Sequence, residues 1–217
     1  VAFTQNILTP KYKIVNQKED INTIEGELSF PMFVKPLKSG DSLGVDENSL
    51  VDNLEALTKK TAAIIDEYSP ILIEEYIGGR EFTVMVVKTC ESNTSVKSFV
   101  PVEYVFPNDK KFKTYALKTS ELHKNANIPV IDAVLAERLQ TAAENIFNAF
   151  GGVGYARLDF RMNDKEELFF LEINFTCSVF YTNGYEGSAD YILQSSHVSP
   201  ASFLSDIIEE GIFRHKQ

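Results

Sequence analysis

The sequence predicts an α+β protein. Its strand and helix signals come in mixed order, with strands in blocks and helices between them. The strand candidates Tyr155–Met162 and Leu168–Asn174 are separated only by Asn163–Glu167, a spacing typical of an antiparallel hairpin. A doubly wound parallel sheet would instead alternate strands and helices regularly. We therefore expect antiparallel sheets with helices packed against them.

Strand signals appear in order along the chain. They predict strands at Lys11–Val15, Met32–Lys35, Ile71–Glu75, Phe82–Val87 and Ser98–Val105. The second strand is stopped by Pro36, and the Gly78-Gly79 pair predicts a turn between the third and the fourth. The irregular, lysine-rich stretch Pro107–Asn127 is a predicted long loop, and loops of that length are often functional.

Three segments carry apolar residues at helical spacing. The first has Ser49 as its predicted N-cap, and its stripe is Leu50, Val51, Leu54, Leu57, Ile64 and Ile65. The second is Ile131–Phe150, with Val134, Leu135, Leu139, Ala142, Ala143, Ile146 and Phe147 on one face. The last is predicted to begin at the cap Ser199 and to end at Gly211, and its inward residues are Phe203, Leu204, Ile207 and Ile208.

Composition excludes several classes of function. Of the 217 residues, 44% are hydrophobic and 24% charged, and the formal net charge is -10. An acidic chain is a poor partner for a phosphate backbone, so we expect no nucleic-acid binding. No apolar run is long enough to cross a bilayer, so no membrane partner is expected. Two cysteines without metal-ligand or disulfide spacing favour a reducing, cytoplasmic setting.

The predicted hairpin carries polar residues at alternate positions of both strands. Arg157 and Asp159 share one face of the first strand, and Glu172 and Asn174 share one face of the second. The hairpin brings Asp159 nearly opposite Glu172. Two carboxylates and an amide oxygen are ligands that suit Mg²⁺ bridging nucleotide phosphates. The alternative is a solvated face, but the apolar flanks of both strands favour a cleft in which the carboxylates need a cation.

A lysine and a flexible loop indicate a second polar site. Lys35 ends an apolar strand, where an amine needs an anion. The following loop, Ser39–Val45, contains two glycines and the hydroxyl of Ser42, and its N–H groups could hold phosphate oxygens. It lacks the ending of a P-loop, and an ordinary Gly/Ser connection is the alternative.

Acidic residues follow the strand Ile71–Glu75. Glu74 and Glu75 interrupt an apolar run, and Glu81 lies just past the glycine turn. A strand edge beside a cleft can offer backbone groups to adenine, and a carboxylate can accept both ribose hydroxyls. A solvated strand end is the alternative.

These patterns occur in an order that resembles the D-alanine–D-alanine ligase branch of the ATP-grasp superfamily. The matching stretches are Phe30–Pro36, Gly40–Val45, Ile73–Val84, Gly154–Phe160 and Leu171–Asn174. The resemblance implies an ATP-grasp fold, in which two α+β subdomains grip ATP between them. Residues 1–77 would form the N-terminal (central) subdomain with the phosphate loop. Residues 78–217 would form the C-terminal subdomain with the magnesium-binding hairpin.

The same resemblance implies roles for single residues. Lys35 and Lys113 would contact the phosphates of ATP, Glu81 would hold the ribose, and the loop with Ser42 would close over the phosphates. The adenine site would be lined by Glu74, Glu75 and Ile77. One or two Mg²⁺ ions, with Mn²⁺ as the alternative metal, would be bound by Asp159, Glu172 and Asn174.

The activity implied by the resemblance is that of an ATP-dependent carboxylate–amine ligase. ATP phosphorylates a substrate carboxylate, an amine attacks the acyl-phosphate, and ADP and phosphate leave. Arg157 and Ser42 would be catalytic, with Arg157 stabilising the developing oxyanion. The partners would be small-molecule acids and amines, amino acids above all, and a homodimer is one oligomeric state to test. The alternative is a nucleotide-binding module or truncated ligase without ligase activity of its own.

Several positions depart from the family pattern. The family has a further α/β domain ahead of this region, so we expect a fragment or truncated product. Asp41 replaces a usual loop serine, and Thr114 replaces a usual tyrosine. Phe175–Ser178 replaces a Pro-Gly pair, and Val179–Gly187 is longer than usual. These changes lie around the amino-acid substrates, so MgATP binding is better supported than D-alanine as the substrate.

Overall fold

The computed structural model describes residues 1–24, 26–40, 42–92, 95–107, 110–112 and 126–216. The chain divides into two compact units. The larger unit contains Val1–Thr9, Gly79–Val105 and Lys124–Gln217, and the smaller unit contains Pro10–Gly78 and Phe106–His123. None of the described helices has the length and hydropathy of a membrane-spanning segment.

The two compact units differ from a division into residues 1–77 and residues 78–217 at two places. The first nine residues, predicted to belong with the phosphate loop, pack in the larger unit, where Ala2 joins the core and Leu8 bridges to Phe169. Part of the predicted long loop joins the smaller unit, because Phe112 packs edge-on against Phe33. Both contacts join residues far apart in sequence, which local patterns do not reveal.

The smaller unit is a four-stranded antiparallel sheet covered on one face by a helix. Its strands are β1 (Tyr12–Val15), β2 (Met32–Pro36), β3 (Leu50–Val51) and β4 (Ile71–Glu75), in the order β1-β4-β2-β3. Alternate residues point towards helix α1 (Leu54–Tyr68). The core contains Val15, Met32, Val34, Leu57, Ile64, Ile65, Ile71 and Ile73.

The predicted cap of the first helix is wrong. Asn53 is the N-cap, and its side chain accepts the Ala56 N–H at 2.9 Å. Ser49 is buried instead and accepts the Asp46 N–H at 3.0 Å. Leu50–Val51, which were assigned to the helical stripe, form β3 beside β2, because pairing with an existing strand outweighs their apolar spacing.

The larger unit is built on a six-stranded antiparallel sheet. Its strands are β5 (Arg80–Lys88), β6 (Val96–Ser98), β7 (Val102–Tyr104), β8 (Asn127–Pro129), β9 (Tyr155–Met162) and β10 (Leu168–Asn174). The order is β10-β9-β5-β7-β8, with β6 also paired to β5. The predicted single strand Ser98–Val105 is therefore two strands, which flank Pro101, a residue that cannot donate to a ladder.

Helices cover both faces of this sheet. Helix α2 (Ala133–Ala149), capped by Asp132, packs on one face around Leu139, Ile146 and Phe147. The other face carries α3 (Ser188–Ser195) and α4 (Pro200–His215). Helix α3 was not predicted, because its eight residues are too few to show a helical period.

Two further details of the helices correct the prediction. Helix α4 continues through Gly211 to His215, and Leu204 and Ile208 are 45% and 58% exposed rather than inward. The helix instead packs through Phe203 and Ile207. Leu204 and Ile208 each follow one of these residues, so they point about 100° away from the buried side of the helix. On α2, Val134 is likewise exposed.

Candidate functional site

The predicted constellation of the hairpin lies on one face of the larger sheet. In the ladder between β9 and β10, Asp159 is directly opposite Glu172, and Arg157 is directly opposite Asn174. The intervening residues Leu158 and Phe160 point to the other face, where they join the core under α2. The strand period therefore separates the polar set from the core, as the sequence predicts.

A β-bulge decides which way Glu172 points. The register shifts by one residue between Phe170 and Glu172. Phe170 and Ile173 both pack against the core under α2, although strict alternation would place them on opposite faces. Without the bulge, Glu172 would share the face of Phe170 and would be directed at that core. The bulge re-aims the carboxylate beside Asp159.

Asp159 is held in place by two neighbours. The Thr83 hydroxyl on β5 donates a hydrogen bond of 2.6 Å to its Oδ1 atom, and the Arg157 guanidinium donates to Oδ2 at 3.2 Å. The side chains of Arg157 and Asp159 are only 18% and 16% exposed, whereas Glu172 is exposed. Asn174 accepts the Thr176 N–H at 3.0 Å through its amide oxygen. Thr83 has no local sequence signal for this role, because it lies 76 residues from Asp159.

The electrostatics keep Arg157 charged. The Asp159 carboxylate, with smaller contributions from Cys177 and Glu172, raises the pKa of Arg157 against the opposing effect of burial. Its Nε atom is buried and has no hydrogen-bond partner within the described residues. The guanidinium therefore keeps a positive charge and one unused donor in the site, and an unused buried donor is normally costly.

Cys177 lies close to the charge of Arg157, but its thiol is unreactive. It is buried in the core under α3 and α4, and the Tyr155 hydroxyl donates to its carbonyl oxygen at 2.8 Å. Burial raises the pKa of the Cys177 thiol to about 11, although the Arg157 charge acts in the opposite direction. The thiol is therefore protonated near neutral pH and is a poor nucleophile.

Glu81 lies one row further along the same sheet face. It is directly opposite Tyr104 on β7 and Arg161 on β9, so the three side chains form a row across the sheet. The Arg161 Nη1 atom is 4.0 Å from the Glu81 Oε2 atom, and both residues are buried. Sequence analysis selected Glu81 but not Arg161, since a basic residue on a strand has no distinctive local signal.

The predicted lysine and one predicted glutamate meet in the smaller unit. The Lys35 Nζ atom lies 2.7 Å from the Glu74 Oε1 atom, on the face of the sheet opposite α1. Phe33 shares that face and packs against Phe112. A mostly buried amine and carboxylate thus stand together beside an aromatic pair.

Glu75 is placed differently from Glu74. Its carboxylate accepts the Ser29 N–H at 2.8 Å, and alternation along β4 directs it to the opposite face of the sheet. Ile77, two residues on, is half-buried, and neither its N–H nor its C=O has a hydrogen-bond partner within the described part of the chain. The Glu75 side chain is therefore directed away from the Lys35 face, and its backbone N–H donates to the Lys11 carbonyl at 2.9 Å.

The loop after Lys35 has a fixed base. Ser42 has a φ of 58° and Gly44 a φ of 76°, and a Cβ atom on Gly44 would lie 2.7 Å from Pro36. The ammonium group of Lys60, a residue only 3% exposed, donates to the Gly44 carbonyl and to Asp46, each at 2.9 Å. The loop is therefore fastened to α1 at its end. Lys60 was missed because it lies in the middle of a helix.

Three residues named in the sequence analysis lie outside the described residues. They are Asp41, Lys113 and Thr114. Within the described chain, no cluster of three or more His, Cys, Asp or Glu side chains forms a candidate metal site. The hairpin set differs in type, since it combines two carboxylates with the amide of Asn174.

Comparison with known proteins identifies the family and the fold. The family model described as "D-ala D-ala ligase C-terminus" matches residues 3–182. A D-alanine–D-alanine ligase of Streptococcus pneumoniae (strain Hungary19A-6) is 34% identical over 156 residues, which are 71% of this chain and 42% of that protein. The chain thus spans less than half the length of this curated relative.

Solved structures share the fold. VanG D-Ala:D-Ser ligase from Enterococcus faecalis superimposes with a TM-score of 0.73 at 20% identity, covering 98% of this chain and 59% of that one. The D-alanine–D-alanine ligase from Bacillus anthracis complexed with ATP gives a TM-score of 0.71 at 20% identity, covering 100% of this chain and 65% of that one. The predicted α+β, ATP-grasp fold is confirmed. The chain belongs to the D-alanine–D-alanine ligase C-terminus family.

Proposed function

We propose that this chain is the MgATP-binding part of an ATP-dependent carboxylate–amine ligase that works through an acyl-phosphate. The observation that supports this most directly is the convergence of Asp159, Glu172, Asn174 and Arg157 on one sheet face. The bulge in β10 supports it further, because it directs Glu172 away from the core and towards Asp159. Phosphoryl transfer needs charge neutralisation and positioning more than covalent work by the protein.

The hairpin donors fit a divalent metal. Two carboxylates and an amide oxygen form a hard-oxygen set, and one guanidinium does not balance two carboxylates. Asp159, Glu172 and Asn174 would hold one or two Mg²⁺ ions, with Mn²⁺ as the alternative. When bound, Mg²⁺ supplies charge neutralisation at the transferred phosphate. Thr83 fixes the orientation of Asp159 before the metal binds.

Other residues would hold the nucleotide. The backbone groups of Ile77, which have no hydrogen-bond partner among the described residues, would bind adenine, and Glu74 would line the same site. Glu81 would accept the ribose hydroxyls. Lys35 would contact the phosphates, for which it would exchange its ion pair with Glu74. Lys113 is proposed from sequence resemblance alone.

Arg157 would stabilise the oxyanion that develops when the amine attacks the acyl-phosphate. The carbonyl oxygen gains charge as the new C–N bond forms. It regains its double bond when the C–O bond to the phosphate breaks, and the phosphate leaves with the electron pair of that bond and takes up the proton that the nitrogen loses. The charged guanidinium of Arg157 suits this role, as does its Nε donor, for which the described part of the chain offers no acceptor, and Asp159 keeps the side chain in place. The loop containing Ser42 would cover the phosphates and limit hydrolysis of the intermediate.

The substrates are proposed at the level of chemical class. The curated relatives are named D-alanine–D-alanine ligases, and one structural neighbour is named a D-Ala:D-Ser ligase. We propose an amino-acid carboxylate and an amino-acid amine as substrates, and a cytoplasmic setting in which ATP is available. The segment after Asn174 departs from the family pattern, and it lies where the side chains of the two substrates would be selected.

The test separates metal-dependent nucleotide binding from ligase activity. Isothermal titration with a non-hydrolysable ATP analogue should show affinity that requires Mg²⁺. Glu172→Gln should weaken Mg²⁺-dependent binding about tenfold or more, since it removes a charged ligand. The matched control Asp164→Asn, at an exposed position in the turn of the same hairpin, should match the unmodified protein. Equal affinities for both variants would rule out the metal assignment.

Turnover is tested separately. ADP release that depends on a paired acid and amine, assayed with a panel of amino acids, would establish ligase activity. Nucleotide binding without such release would identify the second function, a nucleotide-binding module. That alternative is retained because the chain spans 42% of its curated relative.

A further inference from the structure

We propose that Arg161 is a positioning residue that orients the Glu81 carboxylate and thereby makes the protein select nucleotides with both ribose hydroxyls. The inference rests on the proposed function, in which Glu81 holds the ribose. It adds a second residue to that site, one that sets the selectivity of the site without contacting the nucleotide.

The cross-strand geometry places Arg161 against Glu81. The two residues are a direct pair in the antiparallel ladder of β5 and β9. The Arg161 Nη1 atom lies 4.0 Å from the Glu81 Oε2 atom, and the side chains are 5% and 11% exposed. Because water reaches neither group freely, their attraction is screened less than that of a surface pair.

Arg161 is also fastened to the turn that precedes Glu81. Its Nη2 atom donates to the Gly79 carbonyl at 3.2 Å. Gly79 has a φ of 97°, and a Cβ atom there would lie 2.2 Å from the Met162 carbonyl oxygen. The guanidinium therefore joins the turn at the start of β5 to the carboxylate two residues later. One planar group thus contacts both the backbone of the turn, through a hydrogen bond, and the Glu81 carboxylate, through an ion pair at 4.0 Å.

The other side of Glu81 is closed by Tyr104. These two residues are also a direct cross-strand pair, between β5 and β7. Burial, together with the neighbouring Glu81 charge, raises the pKa of the Tyr104 phenol, so this neighbour stays neutral. Glu81 thus lies between a neutral aromatic residue on β7 and a cation on β9.

The position of the carboxylate is what matters for sugar recognition. A carboxylate accepts both hydroxyls of a ribose only when it is held within hydrogen-bond distance of each of them. The Arg161 guanidinium holds the Gly79 carbonyl with Nη2 while Nη1 faces the Glu81 carboxylate, whereas a lysine has a single nitrogen and cannot serve both partners in this way. Removing the guanidinium should therefore reduce selectivity for the ribose more than it reduces affinity for the rest of the nucleotide.

The experiment compares dissociation constants for MgATP and for Mg-2′-deoxy-ATP by isothermal titration. We expect the unmodified protein to prefer ATP about tenfold, the value of one charge-assisted hydrogen bond. Arg161→Gln and Arg161→Lys should each lower the preference to about threefold or less. The lysine variant keeps the buried positive charge and covers the case in which the glutamine variant does not fold. Arg138→Gln, which alters an exposed arginine bonded to the Glu166 carbonyl in the same unit, should keep the full preference.

The outcomes distinguish this inference from the proposed function. Loss of the preference in Glu81→Gln, together with full preference in a folded Arg161 variant, would overturn the role of Arg161 and leave the ribose role of Glu81 standing. Full preference in Glu81→Gln, or none in the unmodified protein, would overturn both. Equal weakening of both nucleotides in the Arg161 variants would indicate a purely structural residue and would also refute the inference.

Discussion

Replacing Lys60 with methionine should loosen the loop that is proposed to cover the phosphates. Lys60 lies within α1 and is almost fully buried, yet its ammonium group reaches the Gly44 carbonyl and Asp46. Methionine has similar length and volume but no donor. The substitution therefore removes the polar contacts while it retains most of the packing.

The two contacts contribute unequally. Loss of the donor leaves the half-buried Gly44 carbonyl without this partner, which costs about 1–3 kcal/mol. The pair with Asp46 adds less, about 0.2–1 kcal/mol, because the Asp46 side chain is 59% exposed and solvent screens it. We expect Lys60→Met to lower the free energy of unfolding by about 1–4 kcal/mol in all.

Urea denaturation measures this change, and Lys59→Met is the matched control. Lys59 is the exposed neighbour on the same helix, so its replacement should change the free energy of unfolding by less than about 0.5 kcal/mol. Titration with nucleotide should show a further loss of affinity for Lys60→Met alone, because the loop base is no longer fixed. Equal stability of the two variants would refute the assignment of Lys60 as the anchor of the loop.

Two other predictions concern the segment after Asn174. The buried Asp190 carboxylate accepts the N–H groups of Phe180 and Gly187 at 2.7 and 2.9 Å, so Asp190→Asn should lower the free energy of unfolding by about 2–3 kcal/mol in urea denaturation. An unchanged free energy of unfolding in that variant would show that the Asp190 carboxylate does not stabilise the segment through these two hydrogen bonds. For the cysteines, the raised pKa of Cys177, about 11, means that the thiolate forms only as pH approaches that value. Iodoacetamide at pH 8 should therefore modify the exposed Cys90 and spare Cys177 in the folded protein, as mass spectrometry can check; equal labelling would contradict the burial of Cys177.

Sequence periodicity predicted the polar face of the hairpin, but it did not predict the β-bulge that brings Glu172 onto that face. Alternation in Tyr155–Met162 was enough to place Arg157 and Asp159 together. In β10 the run Phe169-Phe170-Leu171 is apolar at every position, so no pattern marks the bulge that turns Glu172. A bulge is set by how two strands pair and is therefore invisible to a pattern read along one strand.

The supporting residues were missed for a related reason. Thr83, Arg161 and Lys60 act on partners that are distant in sequence or lie on other elements. Each has an ordinary local context, two in strands and one inside a helix. What selects them is the register between strands and the packing of α1, which appears only when the chain is folded.

The rotation of helix α4 about its axis could not be predicted from the sequence either. Both faces of α4 carry apolar residues, and the sequence offered no reason to prefer Phe203 and Ile207 over Leu204 and Ile208 as the buried set. The fold chooses through aromatic contacts, since Phe203 packs against Phe99 and Tyr155. Packing geometry therefore settles what hydrophobic spacing leaves open.

The proposed function requires that the hairpin of β9 and β10 binds a divalent metal through its polar face. Crystals grown with Mn²⁺ and a non-hydrolysable ATP analogue would test it by anomalous scattering. We predict a Mn²⁺ peak within about 2.3 Å of oxygen atoms from Asp159, Glu172 and Asn174. A bound nucleotide with no anomalous peak at these three residues, or with its metal held elsewhere, would contradict it.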